Sequence, residues 1–395
     1  MLTRIAGREP SVALTDGLRQ LSALDWTGRR GRPGAIAYLP CYHGNPYQDL
    51  LYSQLPAEGL QAAPMYDVDT AAQFVDAVQN PDLDVVVHLH WLNYVTARAD
   101  SETAARATAK EFLERLEAIK ERGARLLWTL HNVLPHEDRY PDVDLELRKA
   151  MVDLVDRVHV MSPDTRRLVA PWYELPERKT FMVPHPSYDG VYPSWISREQ
   201  ARTRLGIAPA AVVFLVIGAL KPYKGLTELL NAFDELSRRE PGRFILLVAG
   251  NPSADEEIER FRQRVLAHPA VFAAFGKIPD GEMQLYLRAA DVAVFPYRRS
   301  LNSGALTLTT TFGLPCVLPS HACEAASVDS SYAEIYDASS PDGLVNALSA
   351  ARRLVSAEAS AAARAASERV SVPVVAGAFA KEVRSWLDDT RSRPS

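Results

Sequence analysis

The chain is expected to fold as an α/β protein of two doubly wound, Rossmann-like domains, and three observations carry that expectation. Short β-rich apolar runs alternate with stretches of helical period, the sequence sign of parallel sheets built from βαβ units. The alternation occurs twice, on either side of the aperiodic, proline- and aromatic-rich segment VPHPSYDGVYPSW. The length of 395 residues, 47% of them hydrophobic and 24% charged, suffices for two cores rather than one.

In the first half, strands are expected in AIAYLP, LDVVVHLHW, ARLLWTLHNV and DRVHVMS. A helix is predicted over Ser101 to Arg122, where Phe112, Leu113, Leu116 and Ile119 recur at helical spacing. In the second half the strands are AVVFLVIGAL, RFILLVAG, VFAAFGKI, VAVFPY and PCVLP, with Leu226, Leu229, Leu230 and Phe233 lining one face of the first intervening helix. The alanine-rich run Ala357 to Ala366 is helical by propensity, and Ala376 to Leu387 forms a last helix. The domains are placed at 1–185, including an extension at 1–33, and at 186–370, with 371–395 as a terminal helical segment.

The formal net charge of −5 offers no broad basic field of the kind that displaces counterions from nucleic acid, so nucleic acid is not an expected partner. The cysteines Cys41, Cys316 and Cys323 are too scattered for a disulfide framework or a spaced zinc site, which suits a reducing compartment. The longest apolar run, Ala208 to Leu220, is far short of the roughly 20 residues of a membrane span. No cleavable apolar leader is evident, so a cytoplasmic location is expected. The basic stretch GRRGRPG before the first strand is the place for any weak peripheral membrane contact.

In open α/β sheets ligands sit beyond the carboxyl ends of the strands. Neither half carries G-x-G-x-x-G after its first strand, and the chain has no G-x-x-x-x-G-K-[ST]. A nicotinamide or flavin enzyme and a P-loop phosphotransferase are therefore disfavoured. Two other loops do carry chemistry. IGALKPYKGLTELL runs from a buried strand through Lys221, Lys224 and Gly225 into an amphipathic helix. FPYRRSLNSGALTLTTTFGLPCVLP runs from a strand through a polar loop to Ser303 and Gly304, which open a helix ending near Gly313. The amide N–H groups at such a helix start attract anions, and two lysines from the same sheet edge complete a site for a nucleotide diphosphate. Both lysines are read as exposed loop residues that contribute little to the core. Arg298, nearer its strand end than Arg299, is expected at the same phosphate.

These loops resemble those of GT-B glycosyltransferases, in particular the broad group of retaining bacterial mannosyl- and glucosyltransferases, and the resemblance extends from about Ala35 to Leu387. In that group the donor loop commonly reads G-R-L-x-x-x-K-G, with the arginine and lysine on the donor diphosphate. Here it reads Gly218, Ala219, Leu220, Lys221, Pro222, Tyr223, Lys224, Gly225. The lysine is retained as Lys224, and Lys221 stands two positions beyond the missing arginine, able to take over its role as a flexible point charge. The two glutamates that the group carries eight positions apart fall at Ser300 and Leu308. The loop instead resembles the Asn/Gln-Ser-Gly variant of divergent members, in which the amides of Ser303, Gly304, Ala305 and Leu306 cradle phosphate. Sugar and ribose recognition then passes to Asn302 or Thr307.

In the first half HGNPYQDLLY, VVHLHWLNY and LHNVLPHE resemble acceptor-side segments of the same enzymes. They imply acceptor contacts from His43, Asn45, Tyr47, His90, Trp91 and His136. A single histidine after a strand is more often structural than catalytic, but His88, His90, His131 and His136 all lie near strand ends. His131 matches the position whose imidazole meets the transferred sugar and is ranked first, with Lys224, Lys221 and Glu137 as the other catalytic candidates. His88 and His90 have spacing suited to zinc but no evident third ligand, so neither a metal nor a cofactor is expected.

The resemblance implies two domains facing across a cleft and transfer of a sugar from a nucleotide diphosphate sugar to a hydroxyl of a carbohydrate, lipid-linked or natural-product acceptor. Retention is the expected outcome, with His90, His136 or Glu137 as the base if the reaction inverts. The alternatives are a GT-B-like nucleotide-sugar epimerase and a sugar-nucleotide-binding protein without catalysis.

Overall fold

The computed structural model describes residues 32–42, 44–78, 80–133 and 139–389. His43, His136 and Glu137 lie outside these residues, as does most of the basic stretch before the first strand. The chain divides into two compact units: the residues up to Pro186 together with those from Val372 onward, and Ser187–Ser371.

The first unit holds a parallel sheet in the order β2-β1-β3-β4-β5-β6. Its strands are β1 (Gly34–Leu39), β2 (Leu60–Pro64), β3 (Asp84–Leu89), β4 (Arg125–Thr129), β5 (Arg157–Val160) and β6 (Thr180–Met182). Every residue of β1 is buried, as a strand covered on both faces must be. The helix Glu102–Glu121 is capped by Ser101, whose Oγ accepts from the Ala104 amide at 3.2 Å. It buries Ala105, Ala109, Phe112, Leu116 and Ile119, one stripe of a 3.6-residue period.

The last helix runs Val372–Asp389, four residues earlier than the sequence suggests, because Pro373 is compatible with a first helical turn. It belongs to the first unit. Arg384 Nη2 donates to Asp84 Oδ2 at 3.1 Å, and Phe379 stacks on the His88 ring with centroids 5.6 Å apart.

The second unit holds a parallel sheet in the order β12-β11-β10-β7-β8-β9. Its strands are β7 (Val212–Ile217), β8 (Phe244–Gly250), β9 (Val271–Phe275), β10 (Val292–Val294), β11 (Cys316–Pro319) and β12 (Ala333–Tyr336). The helix Leu226–Arg239 buries Leu226, Leu229, Leu230, Phe233 and Leu236 against it. Arg202 and Asp291, both buried, pair at 2.6 Å beneath the start of β10.

Sequence reading missed β2, β6 and β12. All three are short edge strands, and their sequences LQAAP, TFM and AEIY contain no apolar run to mark them. Each sheet reverses its strand order at one place, between β1 and β3 in the first and between β7 and β10 in the second. The loops after those strands diverge there and open a crevice for ligands. Among the described residues no helix is long and apolar enough to cross a membrane.

Candidate active site

In the second unit the crevice is built by the loops after β7 and β10. The chain leaves β7 at Gly218, with φ of 103°, a conformation that favours glycine. A Cβ at that position would lie 3.5 Å from Lys224 Nζ. Pro222–Lys224 make a single 3₁₀ turn closed by Gly225, whose φ is 64°. A Cβ on Gly225 would stand 2.0 Å from the Pro296 carbonyl oxygen, so the turn packs directly on the end of β10.

That packing turns Lys224 inward. The residue is 6% exposed, which corrects the expectation of an exposed loop lysine. Its Nζ stands 5.7 Å from the centre of the Tyr297 ring and has no carboxylate or hydrogen-bond partner among the described residues. Burial, and then the charge of Lys221, lowers its pKa to about 8. Lys221 precedes the turn and is half-buried.

Tyr297 joins this loop to the next one. Its hydroxyl is 3.1 Å from Ser303 Oγ, and the Arg298 amide donates to the Tyr223 carbonyl at 2.8 Å. Ser303 caps the helix Gly304–Thr311 by accepting from the Leu306 amide at 3.1 Å. Of the amides expected to cradle phosphate, that of Leu306 is thus engaged, while those of Gly304 and Ala305 lie in the first turn, where a helix provides no acceptor. Asn302 is half-buried on the same loop.

Two expectations for this loop change. Arg298 does not present its guanidinium to a phosphate: Nε donates to Glu228 at 2.7 Å, and Nη1 and Nη2 donate to Glu257 at 3.0 and 2.7 Å. Hydrogen bonds to these two carboxylates engage the fork and push its pKa up. Thr307 donates its hydroxyl to the Ser303 carbonyl at 3.3 Å, so its proton stays within the helix. Leu308 faces the core.

Ser300, at the position of the other missing glutamate, donates to Glu324 Oε1 at 2.6 Å. Glu324 lies on the 3₁₀ turn Cys323–Ser327 after β11, and its Oε2 has no hydrogen-bond partner among the described residues. Burial raises its pKa, opposed by the Ser300 hydroxyl. Sequence reasoning missed this carboxyl; its one signal was an acidic residue just past a strand end.

In the first unit the crevice residues are aromatic and neutral. His131, half-buried at the end of β4, stacks on Trp91 with centroids 4.2 Å apart and planes 21° apart. Its Nε2 is 3.0 Å from His90 Nδ1. His90 Nε2 is 2.6 Å from the Tyr52 hydroxyl, which is 2.7 Å from His88 Nδ1. His88 Nε2 is 2.7 Å from Thr129 Oγ1, which is 2.9 Å from His159 Nδ1, and His159 Nε2 is 2.8 Å from the Val183 carbonyl oxygen.

Burial first, and then neighbouring histidines, lowers the pKa of His88, His90 and His131 well below the usual imidazole value. Burial takes His159 and His185 to about 4. All four ring nitrogens of His88 and His90 are engaged in this chain, which accounts for their spacing without zinc. Among the described residues no group of three or more His, Cys, Asp or Glu side chains is placed to hold a metal ion.

Tyr47 is buried with its ring edge against His131, centroids 5.2 Å apart. Asn45 Oδ1 accepts from the Tyr47 amide at 3.1 Å. Both are thus built into the wall around His131.

Residues 211–353, which include both loops of the second unit, match the family model "Glycosyl transferases group 1". Two proteins of Xanthomonas campestris pv. campestris named GDP-mannose:glycolipid 4-beta-D-mannosyltransferase are each 26% identical to the chain. One alignment covers 62% of this chain and 64% of the relative, just under two thirds of its length, and the other covers 68% and 72%. A D-inositol 3-phosphate glycosyltransferase of Geodermatophilus obscurus is 32% identical over 36% of this chain and 33% of its own.

Among solved structures, sucrose-phosphate synthase from Thermosynechococcus elongatus superposes with a TM-score of 0.66 at 15% identity, over 92% of this chain and all of its own. Anabaena HepE, solved with UDP and glucose, gives 0.65 at 14% identity, over 89% of this chain and all of its own. The chain thus shares the two-domain GT-B fold along nearly its whole length, and the stretch that carries the lysine loop is similar to a group 1 glycosyl transferase domain.

Proposed function

We propose that the protein transfers a hexosyl group from a nucleotide diphosphate sugar, with GDP-mannose the first donor to test, to a hydroxyl of a glycolipid acceptor. The observation that carries this reading is Lys224, a buried ammonium group without a counter-ion among the described residues. Burying an unpaired charge is unfavourable, and such a group persists where an anion arrives to pair with it. A diphosphate is the anion that fits, because the loop after β10 offers the Gly304 and Ala305 amides to the same crevice.

As the bond from the anomeric carbon to the diphosphate oxygen breaks, the electron pair moves to that oxygen. Lys224, Lys221 and the two amides stabilise the charge that develops there. Glu324, held by Ser300, accepts a hydrogen bond from a donor hydroxyl in place of the missing glutamates. Asn302 remains a candidate for the same task. In the first unit His131 meets a substrate hydroxyl and Trp91 supplies a flat apolar face for a sugar ring. Tyr47 and Asn45 shape that wall, while His43, His136 and Glu137 remain acceptor-side candidates by resemblance alone. The reaction as proposed needs no metal, since cationic side chains neutralise the leaving group.

The names of the Xanthomonas relatives support GDP-mannose and a glycolipid, whereas the HepE structure supports UDP. The test offers GDP-mannose and UDP-glucose, each with a lipid-linked oligosaccharide, and follows the product by mass spectrometry. Acceptor mass increased by one hexose with one of these donors supports the proposal. Nucleotide release that is the same with and without acceptor, and no glycosylated product, overturns it.

A further inference from the structure

A cavity of about 860 Å³ opens in the second unit between the helices Leu226–Arg239 and Gly343–Ala350, lined also by residues at the carboxyl ends of β10, β11 and β12. Its volume is that of a small-molecule site. Tyr297 and Arg298, from the loop after β10, belong to the lining, and the Tyr297 ring also meets Lys224 Nζ. The cavity and the lysine loop therefore share a wall.

Four polar side chains around this cavity have bonding capacity that the described residues do not use. Tyr336, the last residue of β12, is 9% exposed, and its hydroxyl has no hydrogen-bond partner among the described residues. Burial, and then the charge of Glu228, raises its pKa, so the hydroxyl keeps its proton to donate. Glu228 gives Oε1 to Arg298 Nε and leaves Oε2 open among the same residues. Asn231 Oδ1 accepts from Arg264 Nη1 at 2.8 Å, which leaves the amide N–H groups to donate. His321 Nε2 donates to the Tyr297 carbonyl oxygen at 2.9 Å, so in the neutral ring Nδ1 accepts. Two donors and two acceptors thus stand among the apolar side chains of Pro296, Leu344 and Val345.

Charge narrows the choice of ligand. Both cations of the lining are paired, Arg298 with Glu228 and Glu257 and Arg239 with Glu235, while Glu228 and Asp342 keep carboxylate oxygens without a partner among the described residues. An anion would meet carboxylates and no unpaired cation. No group placed to hold a metal ion lies among the described residues. A neutral ligand that donates and accepts through several hydroxyls, and carries apolar C–H faces between them, satisfies all four side chains at once. That is the chemistry of a sugar ring.

We propose that this cavity is a second carbohydrate site, which holds a neutral pyranose through Tyr336, Glu228, Asn231 and His321. It does not depend on Lys224 meeting a diphosphate, so either reading can fail without the other.

Methyl α-D-mannopyranoside and methyl α-D-glucopyranoside, each titrated into the full chain and followed by saturation-transfer difference NMR, test it. Wild type should bind at least one of them. Tyr336→Phe removes only the hydroxyl and should weaken that binding by about fivefold, the worth of one hydrogen bond. Ala338→Trp sits on the exposed loop after β12 and fills the cavity, so it should abolish the binding. Melting curves establish that both variants are folded, and should one not be, the other is read alone. Absence of binding in wild type, or unchanged affinity in a folded variant, overturns the proposal. Inorganic phosphate and putrescine are titrated in parallel: binding of either that Ala338→Trp removes, with neither pyranoside bound, assigns the cavity to a charged ligand and overturns the proposal as well. A lipid-linked oligosaccharide distinguishes two sources of the sugar. Tighter binding than the methyl glycoside, lost in Ala338→Trp, assigns the site to the glycan of a glycolipid, and weaker binding assigns it to a free saccharide.

Discussion

The two crevices solve the problem of buried polar groups in opposite ways. In the first unit six side chains from Tyr52 to His159 satisfy one another and remain neutral, so their burial fixes geometry at little electrostatic expense. In the second unit Lys224 is buried with a charge and without a partner among the described residues. On the proposed reading, one region is finished before substrate arrives and the other is completed by it. A satisfied network sets orientation, whereas an unsatisfied charge holds interaction energy in reserve for the bound anion.

The largest effect that sharpens this contrast is acid lability of the first unit. Its histidines have folded-state pKa values below the usual 6.5, so below about that pH the unfolded chain binds protons that the folded chain does not. Stability should therefore fall as the pH drops from 6.5 toward 4, by up to about 1.4 kcal/mol per pH unit for each histidine that stays neutral in the fold. Melting curves between pH 4.5 and 7.5 check this, and a constant Tm across that range would break the comparison.

The next effect belongs to Lys224. Removing it as Lys224→Ala should reduce kcat/KM by about 2 to 4 kcal/mol of transition-state stabilisation, the scale of one preorganised donor to a developing anion. The charge-removing variant Lys224→Met, which keeps most of the apolar stem, should be more stable than wild type by about 1 to 3 kcal/mol at pH 7. Because the folded-state pKa lies near 8 and the unfolded one near 10.5, the wild-type protein should close that gap as pH rises from 8 to 10.5. A stability difference that does not depend on pH over this range would show that the lysine is not buried as a charge.

Glu324→Gln comes next. Gln keeps one acceptor oxygen for Ser300 and loses the carboxylate, so kcat/KM should fall by about 1.5 to 3 kcal/mol, as for a hydrogen bond to a charged group. Steady-state kinetics with the correct donor measures this; an unchanged value would remove Glu324 from donor recognition. The smallest effect is expected for Lys221→Ala, about 1 kcal/mol in kcat/KM, since Lys221 is only half-buried and more exposed to solvent screening. A larger loss there than at Lys224 would reverse the assignment of the two lysines.

Local pattern announced the fold better than the chemistry. The apolar runs of β1, β3, β4, β7 and β8 and the Ser101 cap are signals carried by neighbouring residues, whereas the edge strands β2, β6 and β12 owe their state to pairing and not to their own sequence. The lysine loop and the Ser303 helix start were legible because each occupies one short stretch. What escaped was tertiary. Glu324 reaches Ser300 across 24 positions, and Glu257 reaches Arg298 across 41. The inward turn of Lys224 depends on the Pro296 carbonyl against Gly225, and the histidine chain gathers residues from Tyr52 to Val183 that no local spacing relates.

The central claim is that Lys224 is a buried charge waiting for a diphosphate, and ligand-dependent melting tests it most directly. Wild type and Lys224→Met are melted at pH 7 with increasing GDP and, separately, UDP. Wild-type Tm should start lower and rise with the logarithm of the concentration of the nucleotide that binds, as expected for a ligand that prefers the native state. The variant should start higher and show little shift. Equal nucleotide-dependent shifts in the two proteins, or no shift in wild type with either nucleotide, would contradict the claim.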